Sequence, residues 1–408
     1  MDICIVGGGP AGVLTGIFAK RNNNNCNITI LEKNEKIGKK LYITGKGRCN
    51  ITNFSDVDNL IENTIGNPYF MYSSYYSFTS QDCVNFFEKL GVKTKVERGN
   101  RVFPITDKSS SVVNALKNEL DSLDIKVSTN TEVIDIIKIE EKFKVVTNCK
   151  ELIFDKVVIA TGGLSYPVTG STGYGYKVAK SFGHKVTKLY PSLVPLQVQE
   201  ESNIFCKAQG LSLKNVKVSV FIDNKKVFEE LGEMMFTHFG VTGPLILTAS
   251  RYFVGMYHKE CKIKIDLKPA LDTQSLDKRL LRDFEKFINK EVKNAFDELL
   301  PQKLIPIFIK YIDIDERKKV NEITKEERKK IVDGLKGLEL FIKGDNGYSE
   351  AVITAGGIEV KEVDPSTMES KLISNLFFVG EVLDVDCLTG GYNLQVAYST
   401  AFLCGQAL

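Results

Sequence analysis

Short apolar runs alternate with amphipathic stretches over the first part of the chain. The runs Asp2–Val6 and Asn27–Leu31 predict buried strands, because short, largely apolar segments bounded by turn residues are typical of parallel sheets. Val13–Lys20 between them has helical periodicity. Ser80–Leu90, with a serine cap, and Ser109–Leu123 predict further helices. This order predicts an α/β fold with a Rossmann-like parallel sheet.

Strand-like segments return after residue 130. Three short runs, Glu132–Ile139, Lys142–Thr147 and Glu151–Phe154, are separated only by turn-length gaps and predict an antiparallel meander. An apolar strand is predicted at Lys156–Ala160, followed by Thr-Gly-Gly. Another is predicted near the C-terminus at Leu376–Val379, followed by Gly-Glu.

The pattern changes in the middle of the chain. Short β-type runs are found at Ser192–Val198, Val216–Ile222, Val227–Leu231 and Cys261–Leu267, with a hairpin signal at Asp223-Asn224. They predict an inserted β subdomain.

Two long, charged, helix-periodic stretches follow, Leu276–Leu300 and Thr324–Leu340. The chain is therefore expected to form a discontinuous α/β domain that carries two insertions. The expected boundaries are 1–190 with 348–408 for the α/β domain, 191–270 for a barrel-like β subdomain and 271–347 for a helical subdomain.

Composition excludes several classes of protein. With 408 residues, 43% hydrophobic and 26% charged, the chain is typical of globular proteins, and its net charge of +3 argues against nucleic acid or a membrane as the main partner. No apolar run is long enough to span a membrane and nothing precedes the first strand, so a cytoplasmic location is expected. Nine cysteines without C-x-x-C spacing and three scattered histidines predict reduced thiols and no metal site.

A glycine motif follows the first strand at once. Gly7, Gly9 and Gly12 match G-x-G-x-x-G, which provides a tight turn, room for a pyrophosphate and close packing of helix on strand. The helix after it directs N–H groups and a positive dipole end at the phosphates. Glu32 ends the second strand, where a carboxylate can accept from ribose hydroxyls. The combination predicts a dinucleotide site.

A basic, glycine-rich loop lies at residues 44–50. Its Lys46 and Arg48, with exposed N–H groups, suit an anion such as a pyrophosphate. Cys49 has a cationic neighbour that could lower the pKa of a thiol. Because no other cysteine stands at a short spacing, a packed or cofactor-contacting cysteine is favoured over a catalytic one.

Two further features are candidates for chemistry. Gly390 and Gly391 precede an apolar helical run and would let backbone approach a ligand ring, although a plain helix-start turn has the same residues. His238 lies between apolar residues in the inserted region and suits general acid catalysis; a structural role is the alternative. His184 and His258 are expected at the surface.

The motifs together resemble those of a known family. The order of glycine motif, meander, A-T-G-G strand end and terminal G-E strand end resembles the FAD domain of glutathione-reductase-like flavoproteins. More narrowly, the chain resembles the BaiN/YhiN-like family of FAD-dependent oxidoreductases, which includes aminoacetone-oxidase-like proteins. The matching runs are GGGPAG (7–12), KLYITGKGRCN (40–50), RVFP (101–104), ATGGLSYP (160–167), FTHFGVTGP (236–244), GEVLD (380–384) and GGYN (390–393).

The resemblance implies tightly held, non-covalent FAD. It implies that Glu381 accepts from a ribityl hydroxyl and that the helix after Gly391 faces flavin N1 and O2. The implied FAD-binding residues are Gly7, Gly9, Pro10, Ala11, Gly12, Glu32, Lys33, Lys40, Arg48, Cys49, Asn50, Val133, Ala160, Thr161, Gly162, Gly380, Glu381, Gly391, Tyr392, Asn393 and Leu394.

The resemblance also implies the type of reaction. Hydride would pass between flavin and a small organic substrate in a crevice beside the insert, with NAD(P)H-linked reduction of an activated C=C bond favoured. Oxidation of a small amine by oxygen, modification of RNA, and a redox sensor without turnover are the alternatives. Since no second strand with G-x-G-x-x-G occurs, NADH or NADPH would be a transient donor without a domain of its own.

Overall fold

The computed structural model describes all 408 residues. The chain divides into two compact units. One unit consists of Met1–Pro191 and Ala351–Leu408, and the other consists of Ser192–Glu350.

The strands and helices are numbered separately along the chain. The strands are β1 (Asp2–Val6), β2 (Asn27–Leu31), β3 (Thr52–Asn53), β4 (Thr94–Glu97), β5 (Arg101–Pro104), β6 (Lys126–Ser128), β7 (Val133–Ile139), β8 (Lys142–Thr147), β9 (Glu151–Phe154), β10 (Lys156–Ile159), β11 (Tyr190–Ser192), β12 (Leu196–Val198), β13 (Ser212–Ile222), β14 (Lys225–Phe236), β15 (Gly240–Thr242), β16 (Cys261–Asp266), β17 (Leu338–Asp345), β18 (Ile353–Ala355) and β19 (Leu376–Phe378). The helices are α1 (Pro10–Asn22), α2 (Val57–Glu62), α3 (Tyr72–Ser77), α4 (Ser80–Lys89), α5 (Ser109–Ser122), α6 (Tyr174–Ser181), α7 (Pro244–Ser250), α8 (Thr273–Lys286), α9 (Ile305–Tyr311), α10 (Lys325–Lys336) and α11 (Tyr392–Ala407).

A five-stranded parallel sheet forms the centre of the first unit, in the order β19-β10-β1-β2-β6. Val6 pairs with both Leu31 and Ile159, and Ile159 pairs with Phe378. This register brings the carboxyl ends of four strands to one edge. The predicted α/β, Rossmann-like fold is confirmed.

Helices α1 and α11 pack closely together, although they lie at opposite ends of the chain. A Cβ on Gly405 of α11 would lie 2.6 Å from Cβ of Phe18 in α1, so only glycine allows this approach. The Phe18 and Phe402 rings meet edge to face at 5.1 Å. The last helix therefore completes the core beside the first.

Smaller sheets surround the parallel one. β7, β8 and β9 form the expected antiparallel meander, and β3, β5 and β4 form a second three-stranded sheet. The predicted helix α4 is present, but the predicted serine cap is wrong. Thr79 caps it instead, because its hydroxyl accepts from Asp82 N and the Asp82 carboxylate accepts from Thr79 N.

A closed barrel forms the second unit, in the order β12-β15-β14-β13-β16-β17. The predicted hairpin turn is present, with φ of 48° at Asp223 and 62° at Asn224, as a primed turn requires. Apolar side chains from alternate strand positions fill the barrel and pack against α8, α9 and α10.

Both long helices predicted in this unit end early. The helix predicted over Leu276–Leu300 ends at Lys286. The helix predicted over Thr324–Leu340 ends at Lys336, and Leu338–Leu340 begin β17 instead, where Leu340 pairs with Ile263. The spacing of the leucines suits a helix, but pairing with β16 and β12 closes the barrel and overrides local preference. The expected helical subdomain thus includes a barrel strand.

Candidate cofactor site

The candidate site begins where four parallel strands end. Gly7 follows β1, Glu32 follows β2, Ala160 follows β10 and Gly380 lies two residues after β19. In an open α/β sheet, this edge is where ligands bind. The sheet therefore brings together residues from four separate sequence motifs.

The glycines of the first motif differ in what surrounds them. Gly7 has φ +109°, and a Cβ there would lie 2.5 Å from the Ala160 carbonyl oxygen. A Cβ on Gly12 would collide with the Gly7 carbonyl. Gly9 has nothing within 4 Å of its Cβ position, and it caps α1 through its backbone alone. The loop is thus packed at Gly7 and Gly12 and open at Gly9, where N–H groups of the helix start are available to an anion.

Glu32 is 8% exposed and already accepts three hydrogen bonds. Oε2 accepts from Gly8 N at 2.8 Å, and Oε1 accepts from Asn34 N and Asn34 Nδ2. A carboxylate has about four lone-pair sites, so one remains for a further donor such as a ribose hydroxyl. The adjoining β6–β7 turn is held to Glu32 by Thr131 N, which donates to its carbonyl.

Glu381 is held in a similar way at the other side of the sheet. Its Oε2 accepts from Lys40 Nζ at 2.8 Å, and its Oε1 accepts from Ser165 Oγ at 2.6 Å and Thr354 N at 3.1 Å. Lys40 also donates to Ser165 Oγ. These contacts fix the carboxylate and leave it one acceptor position.

The start of α11 lies directly on strand β3. Gly391 has φ +108°, and a Cβ there would collide with the Thr52 backbone. The Asn53 side chain donates from Nδ2 to the Gly390 carbonyl at 3.1 Å. The sidechain of Asn393 binds the backbone of Cys387, which orders the loop before the helix.

Several buried polar atoms beside these motifs have no partner within the protein. They include Asn50 Oδ1, Asn53 Oδ1 and Thr161 Oγ1. Buried polar atoms in native proteins are almost always hydrogen-bonded, so these three indicate a ligand or water. Together with the open space at Gly9 and the free acceptor positions of Glu32 and Glu381, they fit a bound FAD.

The Arg48 side chain of the basic loop is already paired within the protein. Arg48 Nη1 lies 2.9 Å from Glu97 and 3.2 Å from Asp107, and its guanidinium stacks 3.9 Å from the Phe103 ring centroid. Two carboxylates already balance its charge. The expectation that Arg48 holds the pyrophosphate is therefore not supported. Lys33 donates to Thr172 Oγ1 instead of lying free.

Cys49 is fully buried, and burial raises the pKa of its thiol to about 12. A thiol with this pKa is protonated at neutral pH and is a poor nucleophile. This agrees with the expectation of a packed or cofactor-contacting cysteine. All nine cysteines are free thiols, and no group of three or more metal-ligating side chains is present.

The three histidines lie in different surroundings. His238 is exposed in the turn between β14 and β15, with its ring 4.9 Å from that of Phe239. His184 was expected at the surface, but this expectation is wrong, because the residue is only 3% exposed. Its ring nitrogens form hydrogen bonds with Ser370 Oγ and Glu362 Oε2, which allow the polar ring to be buried. His258 is exposed, as expected.

The remaining candidate residues frame the same edge. Val133 begins β7 and is buried, Tyr392 donates to Asn59 Oδ1, and a Cβ on Gly380 would lie 2.8 Å from Ala11 Cβ.

Sequence reasoning missed Thr52 and Gln395, whose side chains meet at 2.6 Å under the start of α11. They are 343 residues apart, and neither lies in a motif that signals such a contact.

The chain matches the HI0933-like protein Rossmann domain over residues 1–407. It belongs to this family. The expected relationship to the BaiN/YhiN-like flavoproteins is thereby confirmed, and the chain is an FAD-dependent oxidoreductase.

Two curated relatives match over almost their whole length. A protein named 3-dehydro-bile acid delta(4,6)-reductase from Clostridium scindens is 32% identical, over 99% of this chain and 98% of its own. A protein named ribosomal RNA dihydrouridine synthase from Haemophilus influenzae is 29% identical, over 99% of this chain and 97% of its own.

Among solved structures, 3-ketosteroid delta1-dehydrogenase from Sterolibacterium denitrificans has a TM-score of 0.51 and 12% sequence identity. The match covers 99% of this chain and 98% of that one. At this identity the likeness concerns the fold alone. No helix of this chain is long and apolar enough to cross a membrane.

Proposed function

We propose that this protein catalyses NAD(P)H-linked reduction of a C=C bond conjugated to a carbonyl group. The observation that carries this proposal is the full-length similarity to the delta(4,6)-reductase. Its name describes removal of C=C bonds from a compound that bears a keto group. The name of the dihydrouridine synthase also describes saturation of a C=C bond next to a carbonyl, in uracil. Neither name describes oxidation of an amine.

The reaction has a simple balance. NAD(P)H loses a hydride and becomes NAD(P)⁺, and the C=C bond gains that hydride and one proton. FAD, when bound, supplies the two-electron relay between donor and substrate. The protein has to hold the cofactor, exclude water and provide the proton.

Named residues of the first unit suit the holding of FAD. The open position at Gly9 and the start of α1 would receive the pyrophosphate, and Glu32 would accept from the adenosine ribose. The start of α11 would stabilise negative charge on the flavin ring, because a helix N-terminus has a partial positive charge. Glu381 keeps one acceptor position for the ribityl chain.

His238 is proposed as the proton donor. It is exposed, so its ring is accessible to solvent and to a ligand. An imidazole side chain is the commonest general acid in enzymes and suits this role.

Anaerobic stopped-flow absorbance tests the proposal. The purified yellow protein is mixed separately with NADH, NADPH and a panel of small amines, and bleaching of the flavin is followed. Rapid bleaching by a nicotinamide, followed by re-oxidation with an unsaturated ketone but not with its saturated counterpart, supports it. Bleaching by an amine alone would identify an amine oxidase instead.

A second candidate function is reduction of uracil in RNA, which one surface feature favours. Tyr69, Tyr72 and Tyr76 are exposed and stack in a row, with ring centroids 6.0 and 6.3 Å apart and planes within 11°. Exposed aromatic rings can stack on unpaired bases. The segment 51–88 around them has no lysine or arginine and contains five acidic residues, which disfavours a phosphate backbone.

Binding to ribosomal RNA separates the two candidates. The reductase proposal predicts that rRNA fragments bind weakly and that Tyr72→Ala changes this little. Tight, salt-sensitive binding that Tyr72→Ala weakens by tenfold or more would favour the RNA function.

A further inference from the structure

The side chain of Asn53 has a buried acceptor with no partner. Asn53 is 2% exposed, and its Oδ1 makes no hydrogen bond within the protein. Its Nδ2 donates to two carbonyls, those of Gly99 at 3.0 Å and Gly390 at 3.1 Å. Exchanging the oxygen and nitrogen of the amide would place an oxygen against two carbonyl oxygens. The two contacts therefore determine which way the amide faces.

A buried acceptor in this state calls for a donor. Leaving it unpaired costs about 1–3 kcal/mol, and native proteins rarely leave such an atom unsatisfied. The missing partner must carry an N–H or O–H group. Asn53 stands beside the start of α11, where a Cβ on Gly391 would lie 2.8 Å from Asn53 N.

The order of the sheet indicates which part of FAD comes to this place. Glu32 follows β2, the open helix start at Gly9 follows β1, and Glu381 follows β19 on the opposite side of the sheet. If ribose and pyrophosphate lie at Glu32 and Gly9, the other half of the cofactor extends towards Glu381. Gly391 and Asn53 then lie at the ring end.

Oxidised isoalloxazine has a single N–H group, at N3 of its pyrimidine edge. We propose that Asn53 is an FAD-binding residue whose Oδ1 accepts a hydrogen bond from flavin N3–H. The backbone N–H groups at the start of α11 suit the carbonyl oxygen beside N3, because a helix start presents unpaired donors. The assignment gives the buried Oδ1 of Asn53 the hydrogen-bond donor that the protein itself does not provide.

Competition between FAD and 3-methyl-FAD, which lacks the N3 proton, tests the proposal. Holoprotein is equilibrated with equal excesses of both, and the bound flavins are measured by mass spectrometry after denaturation. The wild-type protein should prefer FAD by about tenfold or more, because 3-methyl-FAD loses the hydrogen bond from N3–H and its methyl group needs additional space. Asn53→Ala should reduce this preference to less than about threefold. Asn85→Ala, at an exposed position of α4, is the matched control and should keep the wild-type ratio.

An analogue altered at the opposite edge of the ring, 8-chloro-FAD, should show the same ratio to FAD in all three proteins. A wild-type ratio near one, or an unchanged ratio in Asn53→Ala, would overturn the proposal. If the alanine variant does not fold, Asn53→Ser takes its place.

Wild-type holoprotein with FAD labelled with ¹⁵N at N3 provides a measurement without any variant. Slow exchange of the N3 proton with solvent supports the contact, and exchange as fast as in free FAD contradicts it. Neither measurement uses a substrate or an electron donor, so the outcome is independent of the proposed reaction.

Discussion

Lys40 Nζ and Glu381 Oε2 lie 2.8 Å apart, although 341 residues separate them in the chain. Both side chains are largely buried, with exposed fractions of 20% and 13%. The pair connects the segment after β2 with the segment after β19. One ion pair thus joins two edges of the candidate site that come from opposite ends of the sequence.

Replacing Lys40 by Met should destabilise the protein by about 1–3 kcal/mol, because a shielded carboxylate loses a charged donor. It should also lower FAD content, since Glu381 would no longer be fixed. Thermal unfolding and the flavin-to-protein absorbance ratio measure the two effects. Lys39→Met is the control, because Lys39 pairs with the exposed Glu35 and should contribute little. Equal effects of the two substitutions would contradict the special role of Lys40.

Two glycine substitutions should separate folding from cofactor binding. Gly9→Ala should leave the free energy of unfolding within about 0.5 kcal/mol, since its Cβ would enter open space, but should remove most of the FAD. Gly12→Ala should destabilise the protein itself by about 1–3 kcal/mol or more, since its Cβ would collide with the Gly7 carbonyl. Flavin content and chemical denaturation measure the difference. Normal FAD content in Gly9→Ala would exclude this loop as the pyrophosphate site.

Thiol titration should distinguish the cysteines by burial. Cys149 is exposed and should react rapidly with a disulfide reagent, whereas the partly buried Cys206, whose thiol pKa burial raises, should react slowly. The buried Cys49 should react only after unfolding, when all nine thiols become available. Cys149→Ser should abolish the fast phase and Cys49→Ser should leave it unchanged. Rapid labelling of Cys49 in the folded protein would reopen the question of a catalytic thiol.

His238→Ala should slow turnover roughly a hundredfold, as loss of a general acid does. Stability should change by less than about 0.5 kcal/mol, because the ring is exposed. His258→Ala, also at an exposed position, is the control and should be active. Turnover per bound flavin and the melting temperature are measured for both variants. Normal turnover in His238→Ala would assign the proton to solvent.

Burial lowers the pKa of His184 below its ordinary value, an effect that Glu362 partly offsets. Below about pH 6.5 the unfolded chain therefore binds a proton that the folded protein does not. As the pH is lowered below this value, the free energy of unfolding should decrease. Once the pH is below the pKa of His184 in the folded protein, this contribution stays constant. His184→Gln should flatten that part of the curve of unfolding free energy against pH. Identical pH dependence in both proteins would show that other groups control acid stability.

Local features were predictable where short segments determine the structure. β1, β2 and the acid at Glu32 lie where the apolar runs and the turn residues indicate. Helix α1 starts at Pro10, three residues before the predicted start, because the glycine motif itself forms the first turn. The meander is equally local, since its strands are neighbours in the sequence.

Features that depend on distant contacts were not predictable. The pattern of Leu338 and Leu340 suits a helix, and only the partner strands make this segment β. Arg48 was expected to bind an anion, but its guanidinium pairs with the carboxylates of Glu97 and Asp107, which lie 49 and 59 residues away in the sequence. The sequence contains these charges without any sign of which ones pair.

The parallel sheet has β19 at one edge, and α11 packs on α1, so the final 33 of 408 residues complete what the first 31 residues begin. During synthesis on the ribosome, β1 and β2 emerge early, long before the edge strand β19 is available to complete their sheet. The barrel strands, by contrast, all lie between residues 196 and 345 and emerge before β19 does. Because domains generally fold as units, the inserted barrel can fold first, and the nucleotide-binding unit is completed only after β19 and α11 have been synthesised.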